Sequence, residues 1–178
     1  MTSFISVFNT ILAIGVCGLI LFTVLLLLSR FIRAPFISWL SDVVGKNRVT
    51  ISLVLVSGAT LISLFYSDVV GYAPCKLCWL QRIFFYSQVV LFATALIKRL
   101  PTRDVLIYGF NLSVIGFLIA AYHTFITFTG ISPLPCDAAV SCTTRYVMEF
   151  GFITIPTMSL IVFGALLAVA KHPRRETL

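Results

Sequence analysis

Four cysteines fall in two close pairs. Cys75-Lys76-Leu77-Cys78 is a CxxC, and Cys136 and Cys142 enclose Asp137-Ala-Ala-Val-Ser141 further along the chain. The short CxxC spacing lets two sulfurs approach to the bond length of about 2.0 Å, and a tightly looped disulfide is easier to reduce than a structural one. Pro74 precedes the motif and a helix is expected to begin near Cys78. Unpaired N–H groups and the macrodipole at a helix N-terminus favour a thiolate, which is both a good leaving group and a good electron donor. Pro133 and Pro135 mark the second pair as part of a loop, where an exposed disulfide is open to attack by a protein thiol. The same four cysteines also suit a zinc site or two inert structural disulfides. Cys17 has no neighbour in sequence and reads as a small apolar packing residue.

Polar residues follow the CxxC into the next apolar stretch. Arg82 comes four residues after Cys78, on the same helix face and about 6 Å deeper. An arginine inside a span is costly and points to function, although its stem also lets it snorkel to a nearby interface. Gln81 is placed to offer a hydrogen bond near the thiols, whereas Ser87 and Gln88 suit helix–helix contacts. His123 lies in a later stretch, about 9 Å below its outer end by helical rise and at a depth similar to Arg82. It reads either as a packing residue or as part of a polar pocket shared with Arg82. A lipid-accessible pocket of that kind suits a flat carbonyl-bearing molecule. A quinone fits, because its carbonyls accept hydrogen bonds and its reduced oxygens favour a nearby cation.

Helices must hold these side chains. Of 178 residues, 60% are hydrophobic and 11% charged, with mean hydropathy +1.07. A soluble domain runs about 45–50% apolar and about 25% charged, so a soluble globule and a disordered chain are both excluded. Five apolar stretches stand out, at about Phe4–Ser29, Val49–Tyr66, Trp79–Ile97, Val105–Phe128 and Gly151–Ala170. Backbone groups in lipid must be satisfied internally, so each is expected to be a helix; none alternates as barrel strands do. The first lacks a basic n-region and a small-residue cleavage site, and is expected to be retained.

The net charge of +7 comes from 13 Lys+Arg against 6 Asp+Glu. In a soluble protein it would favour nucleic acid; here no nucleic-acid partner is expected, and the basic residues mark cytoplasmic loops. Arg30, Arg33, Lys46 and Arg48, then Lys98, Arg99 and Arg103, then Lys171, Arg174 and Arg175 occupy alternate loops, against Lys76 and Arg145 in the others. This pattern predicts five spans with the N-terminus outside and the C-terminus cytoplasmic. Both cysteine pairs then face outward, where disulfides persist. Between Arg30 and Arg48, Pro35 and then Phe36, Trp39, Leu40, Val43 and Val44 predict a short interfacial helix. The glycosylation-like Asn111-Leu-Ser113 falls inside a span and is discounted.

The run Pro74-Cys75-Lys76-Leu77-Cys78-Trp79-Leu80-Gln81-Arg82, with Ala121-Tyr122-His123, Pro135-Cys136…Cys142 and Ile153-Thr154-Ile155-Pro156, resembles the hallmarks of the DsbB family, and its BdbC-like branch most closely. The resemblance covers about Val49–Ala170. It implies an all-α membrane protein, a four-helix transmembrane bundle plus one additional N-terminal transmembrane helix, in the bacterial cytoplasmic membrane. The chain then divides into the additional helix (1–30), a cytoplasmic linker with the interfacial helix (31–48), the bundle (49–170) and a cytoplasmic tail (171–178). The implied activity is that of a thiol:quinone oxidoreductase. It reoxidises a soluble extracytoplasmic DsbA-like, thioredoxin-fold thiol oxidase and passes the electrons to ubiquinone or menaquinone, with no metal. By the same resemblance Cys136 forms the mixed disulfide and Cys142 resolves it. Cys75 and Cys78 relay the electrons, with Cys78 facing the quinone; Arg82 holds or polarises the quinone head group, assisted by His123.

Two rival readings remain open. A protein similar to vitamin K epoxide reductase shares paired cysteines and a quinone, but usually carries its CxxC at the start of the last core helix, whereas here it opens the second. The other is a non-catalytic membrane protein with structural disulfides. Export of reducing power would need a cysteine pair that reaches the cytoplasmic side, and lone Cys17 does not provide one.

Overall fold

The computed structural model describes residues 2–29, 34–131 and 140–172. Cys136, the loop residues Pro133, Pro135 and Asp137, and the basic residues Arg30, Arg33, Arg174 and Arg175 lie outside them. The elements are α1 (Thr2–Leu28), α2 (Pro35–Lys46), α3 (Arg48–Leu64), α4 (Lys76–Lys98), α5 (Thr102–Thr129) and α6 (Ile155–Ala170). Beyond α3 the chain continues through a wider helical turn, Phe65–Val69, where the Val70 N–H reaches the Phe65 carbonyl at 3.0 Å. The expected all-α class is observed: among the described residues the one β-type pairing is an isolated bridge between Glu149 and Ile153.

Four helices are long and apolar enough to cross a membrane: α1, α3 with its wider turn, α4 and α5. The protein is therefore a multi-pass membrane protein. The fifth stretch is shorter than its sequence suggests. Phe150 and Gly151 take left-handed φ angles of 52° and 77°, and the Glu149–Ile153 bridge closes a turn there. A helix cannot propagate through two left-handed residues, so α6 begins only at Ile155, behind the Thr154 cap. Its 16 residues rise about 24 Å, less than the roughly 30 Å of a hydrocarbon core.

α3 to α6 form a closed ring in which each helix packs on the next and α6 returns to α3. The core of that ring holds Val56, Phe85, Phe92, Ala120, Phe163 and Leu166. Phe85 and Phe163 stack with centroids 4.2 Å apart. Gly116 is required where it stands, because a Cβ there would strike the Phe163 ring; α5 and α6 approach closely over this glycine. Ser113 on α5 donates to the Gln88 side chain on α4 at 2.9 Å, so Gln88 is the helix–helix contact that was expected. Ser87 instead bonds back to Ile83 of its own helix.

α1 lies outside the ring against α6 and α2, and the buried Asn9 accepts a 2.7 Å bond from Tyr66. Cys17 on this helix is exposed, which corrects its reading as a protein-packing residue. A helix apolar all round gives no sign of which face meets lipid. α2 is the expected short amphipathic helix: Phe36 and Trp39 are exposed, while Val44 packs with Leu26 of α1 and Val169 of α6.

Candidate active site

α4 starts two residues earlier than expected, at Lys76, with Cys75 as its cap. The Cys75 backbone is extended, and its sulfur accepts the Cys78 N–H at 3.4 Å. The two sulfurs stand 3.0 Å apart. The sulfur that the helix terminus favours as thiolate is thus Cys75 rather than Cys78. The Cys75 thiol is held well below the ordinary thiol range, first by the hydrogen bond from the Cys78 side chain. The His123 ring and the Cys78 N–H also lower it, against the opposing effect of burial.

His123 reaches this cap from α5 and is 3% exposed. Its Nε2 lies 3.7 Å from the Cys75 sulfur and 3.2 Å from the Cys142 carbonyl oxygen. Nδ1 lies 2.9 Å from the Gln81 amide nitrogen. A carbonyl only accepts, so Nε2 carries the proton and Nδ1 accepts from Gln81. Gln81, 4% exposed, therefore fixes the tautomer that points a donor at both cysteines.

Cys142 is disulfide-bonded and only 2% exposed. The expectation of an exposed loop disulfide fails for this residue, which is buried in a cluster with Cys75 and Ile126, against which Leu77, Cys78 and Tyr122 pack. Its loop is tied down by Arg145, which donates to the carbonyls of Thr127 and Phe128 at 3.0 and 3.3 Å and so caps the end of α5. Cys136 lies outside the described residues, so its place relative to this cluster is not assigned.

Arg82 is buried but faces away from His123. Its Nε donates to the Ser63 hydroxyl at 2.8 Å and its Nη2 to the Ser63 carbonyl at 2.7 Å. The guanidinium also lies 5.2 Å from the centre of the Trp79 ring. This is an inward anchor on α3 rather than a snorkelling side chain. Two cavities result where one shared pocket was expected. One holds Cys75, Cys78, His123 and Cys142; the other holds Cys78, Arg82, Ser63, Tyr66 and Tyr146. Consecutive helix residues are about 100° apart, so Gln81 turns to α5 and Arg82 to α3. Cys78 lines both cavities.

Residues the sequence reading passed over complete the second cavity. Tyr66 stacks on Tyr72 at 5.8 Å and Tyr72 on Tyr146 at 4.6 Å, which gives it an aromatic wall. Polar Ser63 and Tyr66 at a spacing of three in an apolar stretch were the available signal. Cys75, Cys78 and His123 also bring one donor atom each within 4.8 Å of one another, three donors where a structural zinc takes four.

Residues 46–172 match the model of the family described as disulfide bond formation protein DsbB. A probable disulfide formation protein of Oceanobacillus iheyensis is 39% identical over 64% of this chain and 82% of its own length. Disulfide bond formation protein C of Bacillus subtilis is 38% identical over 66% of this chain and 88% of its own. The SPbeta prophage-derived disulfide bond formation protein B of the same organism is 35% identical over 62% and 74%. No solved structure gives a significant match.

Proposed function

Because the chain belongs to the DsbB family of disulfide bond formation proteins, a family of membrane oxidoreductases in disulfide formation, we propose that it carries electrons from an extracytoplasmic protein dithiol to a membrane quinone. The partner in this reading is a DsbA-like, thioredoxin-fold thiol oxidase. In this reading α6 also crosses, its shortfall in length taken up by local thinning of the bilayer, which gives five spans with the N-terminus outside, the C-terminus in the cytoplasm and both cysteine pairs extracytoplasmic. The observation that carries the proposal is the placement of Cys78, which shares one cavity with Cys142 and the other with Arg82.

The thiol steps are ordinary exchanges. A partner thiolate attacks a Cys136–Cys142 disulfide at Cys136, and Cys142 leaves. The partner's second thiolate, rather than Cys142, then resolves the mixed disulfide, because attack by Cys142 on Cys136 would only restore the starting loop disulfide; the partner departs oxidised, with Cys136 and Cys142 both reduced. Cys142, buried in one cluster with Cys75, attacks the Cys75 sulfur of a Cys75–Cys78 disulfide and displaces the Cys78 thiolate into the cavity of the Arg82 cation. Cys136 attacks Cys142, reforms the loop disulfide and releases the Cys75 thiolate, which the cap and His123 stabilise. Two electrons now rest on the Cys75–Cys78 pair.

The second cavity fits a quinone head group. Arg82 offers a buried cation whose Nη1 has no hydrogen-bond partner among the described residues, and the tyrosine wall offers flat faces. When bound, the quinone supplies a two-electron, two-proton acceptor. Cys78 stands at that cavity as the donor sulfur, Arg82 orients the acceptor and favours negative charge on its oxygen, and the Cys75 thiolate closes the S–S bond on Cys78.

The test is turnover of a thioredoxin-fold dithiol by purified protein, with and without quinone. Oxidation is expected only with quinone and not by Cys78→Ser. Quinone-independent turnover, or an active Cys78→Ser variant, would overturn the reading in favour of structural disulfides or another acceptor.

A further inference from the structure

The N-terminal helix α1 lies outside the stretch that matches the family, residues 46–172, and the thiol chemistry does not use it. It is nevertheless one wall of a groove of about 250 Å³. Leu12, Gly15, Val16 and Leu19 of α1 face Gly58 of α3 and Met158 of α6 across that space. The lining is almost wholly apolar, and at one end it reaches Ser63, Tyr66 and Ile155. Those same three residues line the cavity of Cys78 and Arg82. The apolar groove thus adjoins the polar cavity that holds the donor sulfur and shares part of its lining.

The groove is held open where helices usually close. Glycines on facing helices allow close approach, yet a Cβ added at Gly15 or at Gly58 would meet nothing within 4 Å. The Tyr66–Asn9 bond of 2.7 Å ties α1 to the bundle beside the mouth of the polar cavity. A long apolar appendage attached to a flat polar head would place its two parts in the two spaces.

We propose that α1 forms the outer wall of the site for the polyprenyl tail of the quinone, and so sets the preference for long-tailed over short-tailed acceptors. This deepens the quinone reading and rests on it. Each methylene withdrawn from an apolar groove costs about 0.8 kcal/mol, so blocking two or more should weaken long-tailed binding about tenfold, with no effect on a tailless head group.

The chain has two tryptophans, and Trp79 contacts the Arg82 guanidinium. In a Trp39→Phe background, quenching of Trp79 reports occupancy of the head-group cavity without turnover. Titrations would compare a quinone with a long polyprenyl tail and its tailless analogue, using the background protein, Gly15→Leu and Gly58→Leu. Leucine improves helix propensity at both positions, so both variants should fold. Both are expected to raise the apparent Kd of the long-tailed quinone at least about tenfold and to leave the tailless one unchanged. An effect of Gly58→Leu without one of Gly15→Leu would remove α1 from the site, and equal weakening of both quinones would make the change structural; either result overturns the proposal. Absence of quenching by either quinone in the background protein overturns the quinone reading itself, and this one with it.

Discussion

Gln81 on α4 donates its side-chain amide to Nδ1 of His123 on α5 at 2.9 Å, and this bond decides what His123 presents to the thiols. With Nδ1 occupied as an acceptor, the ring proton stays on Nε2, between the Cys75 sulfur and the Cys142 carbonyl. A thiolate on Cys75 gains that donor; a protonated thiol gains much less.

The first prediction concerns pH. The thiol of Cys75 is lowered, chiefly by the Cys78 side chain and then by His123. In the dithiol protein it therefore remains deprotonated as pH falls below the ordinary thiol range of about 8.5, and loses its charge only at the lowered value. Alkylation of Cys75, followed by mass spectrometry, should stay fast at about pH 6, where a free thiol is slow. His123→Phe should shift the alkylation midpoint upward by about one unit or more, and Gln81→Leu should shift it in the same direction by less. An unshifted midpoint in His123→Phe would leave the cap and Cys78 as the sole causes.

A second prediction addresses Arg82. Arg82→Ala deletes two hydrogen bonds to Ser63 and the cation of the second cavity. We expect at least a tenfold rise in quinone KM, with exchange between the cysteine pairs retained. Stability should fall by about 1–3 kcal/mol. Arg82→Lys cannot reproduce the planar fork and should recover little of either. Unchanged quinone kinetics in Arg82→Ala would make the residue purely an anchor on α3.

The order of sulfur attack is open to trapping. Cys142 and Cys75 are buried members of one cluster, with Cys78 partly buried against it, so removal of Cys136 and Cys78 together (Cys136→Ser, Cys78→Ser) should accumulate a Cys75–Cys142 disulfide, visible by non-reducing peptide mapping. If Cys78 and Cys142 pair instead in the companion double variant lacking Cys136 and Cys75, and the first variant gives no linkage, the assignment of the attacked sulfur is reversed.

A fourth prediction tests the scaffold. Gly116→Ala places a methyl into the Phe163 ring, which is fully buried. Overpacking of this kind costs about 1–3 kcal/mol, so the thermal midpoint should drop clearly in detergent. Gly15→Ala, which meets open space, should leave it unchanged or raise it. Equal midpoints for the two would mean that the α5–α6 contact yields without cost.

The parts of the site that depend on local spacing were legible in the sequence. The CxxC, Arg82 one turn later and His123 at a matching depth all follow from residue type and helical rise. What was misread depends on rotation and on neighbours. Gln81 and Arg82 are adjacent in the chain, yet they look toward different helices, so the single pocket expected beneath the thiols is two. Ser63 and Tyr66 carry a faint signal in their spacing of three, but they join Tyr72 and Tyr146 in the site only because α3 and the final loop meet α4 there. The fifth apolar stretch looked uniform from Gly151 onward, but the left-handed pair at Phe150 and Gly151 takes its first residues out of the helix.

The position of Cys78 has an electrical consequence. On the proposed reading the two cavities behave as compartments wired in series, with Cys78 the one sulfur among the described residues that lines both. The water-borne dithiol and the lipid-borne acceptor load the same conductor from opposite sides, so neither has to come near the other. Blocking either compartment then halts current through the whole circuit.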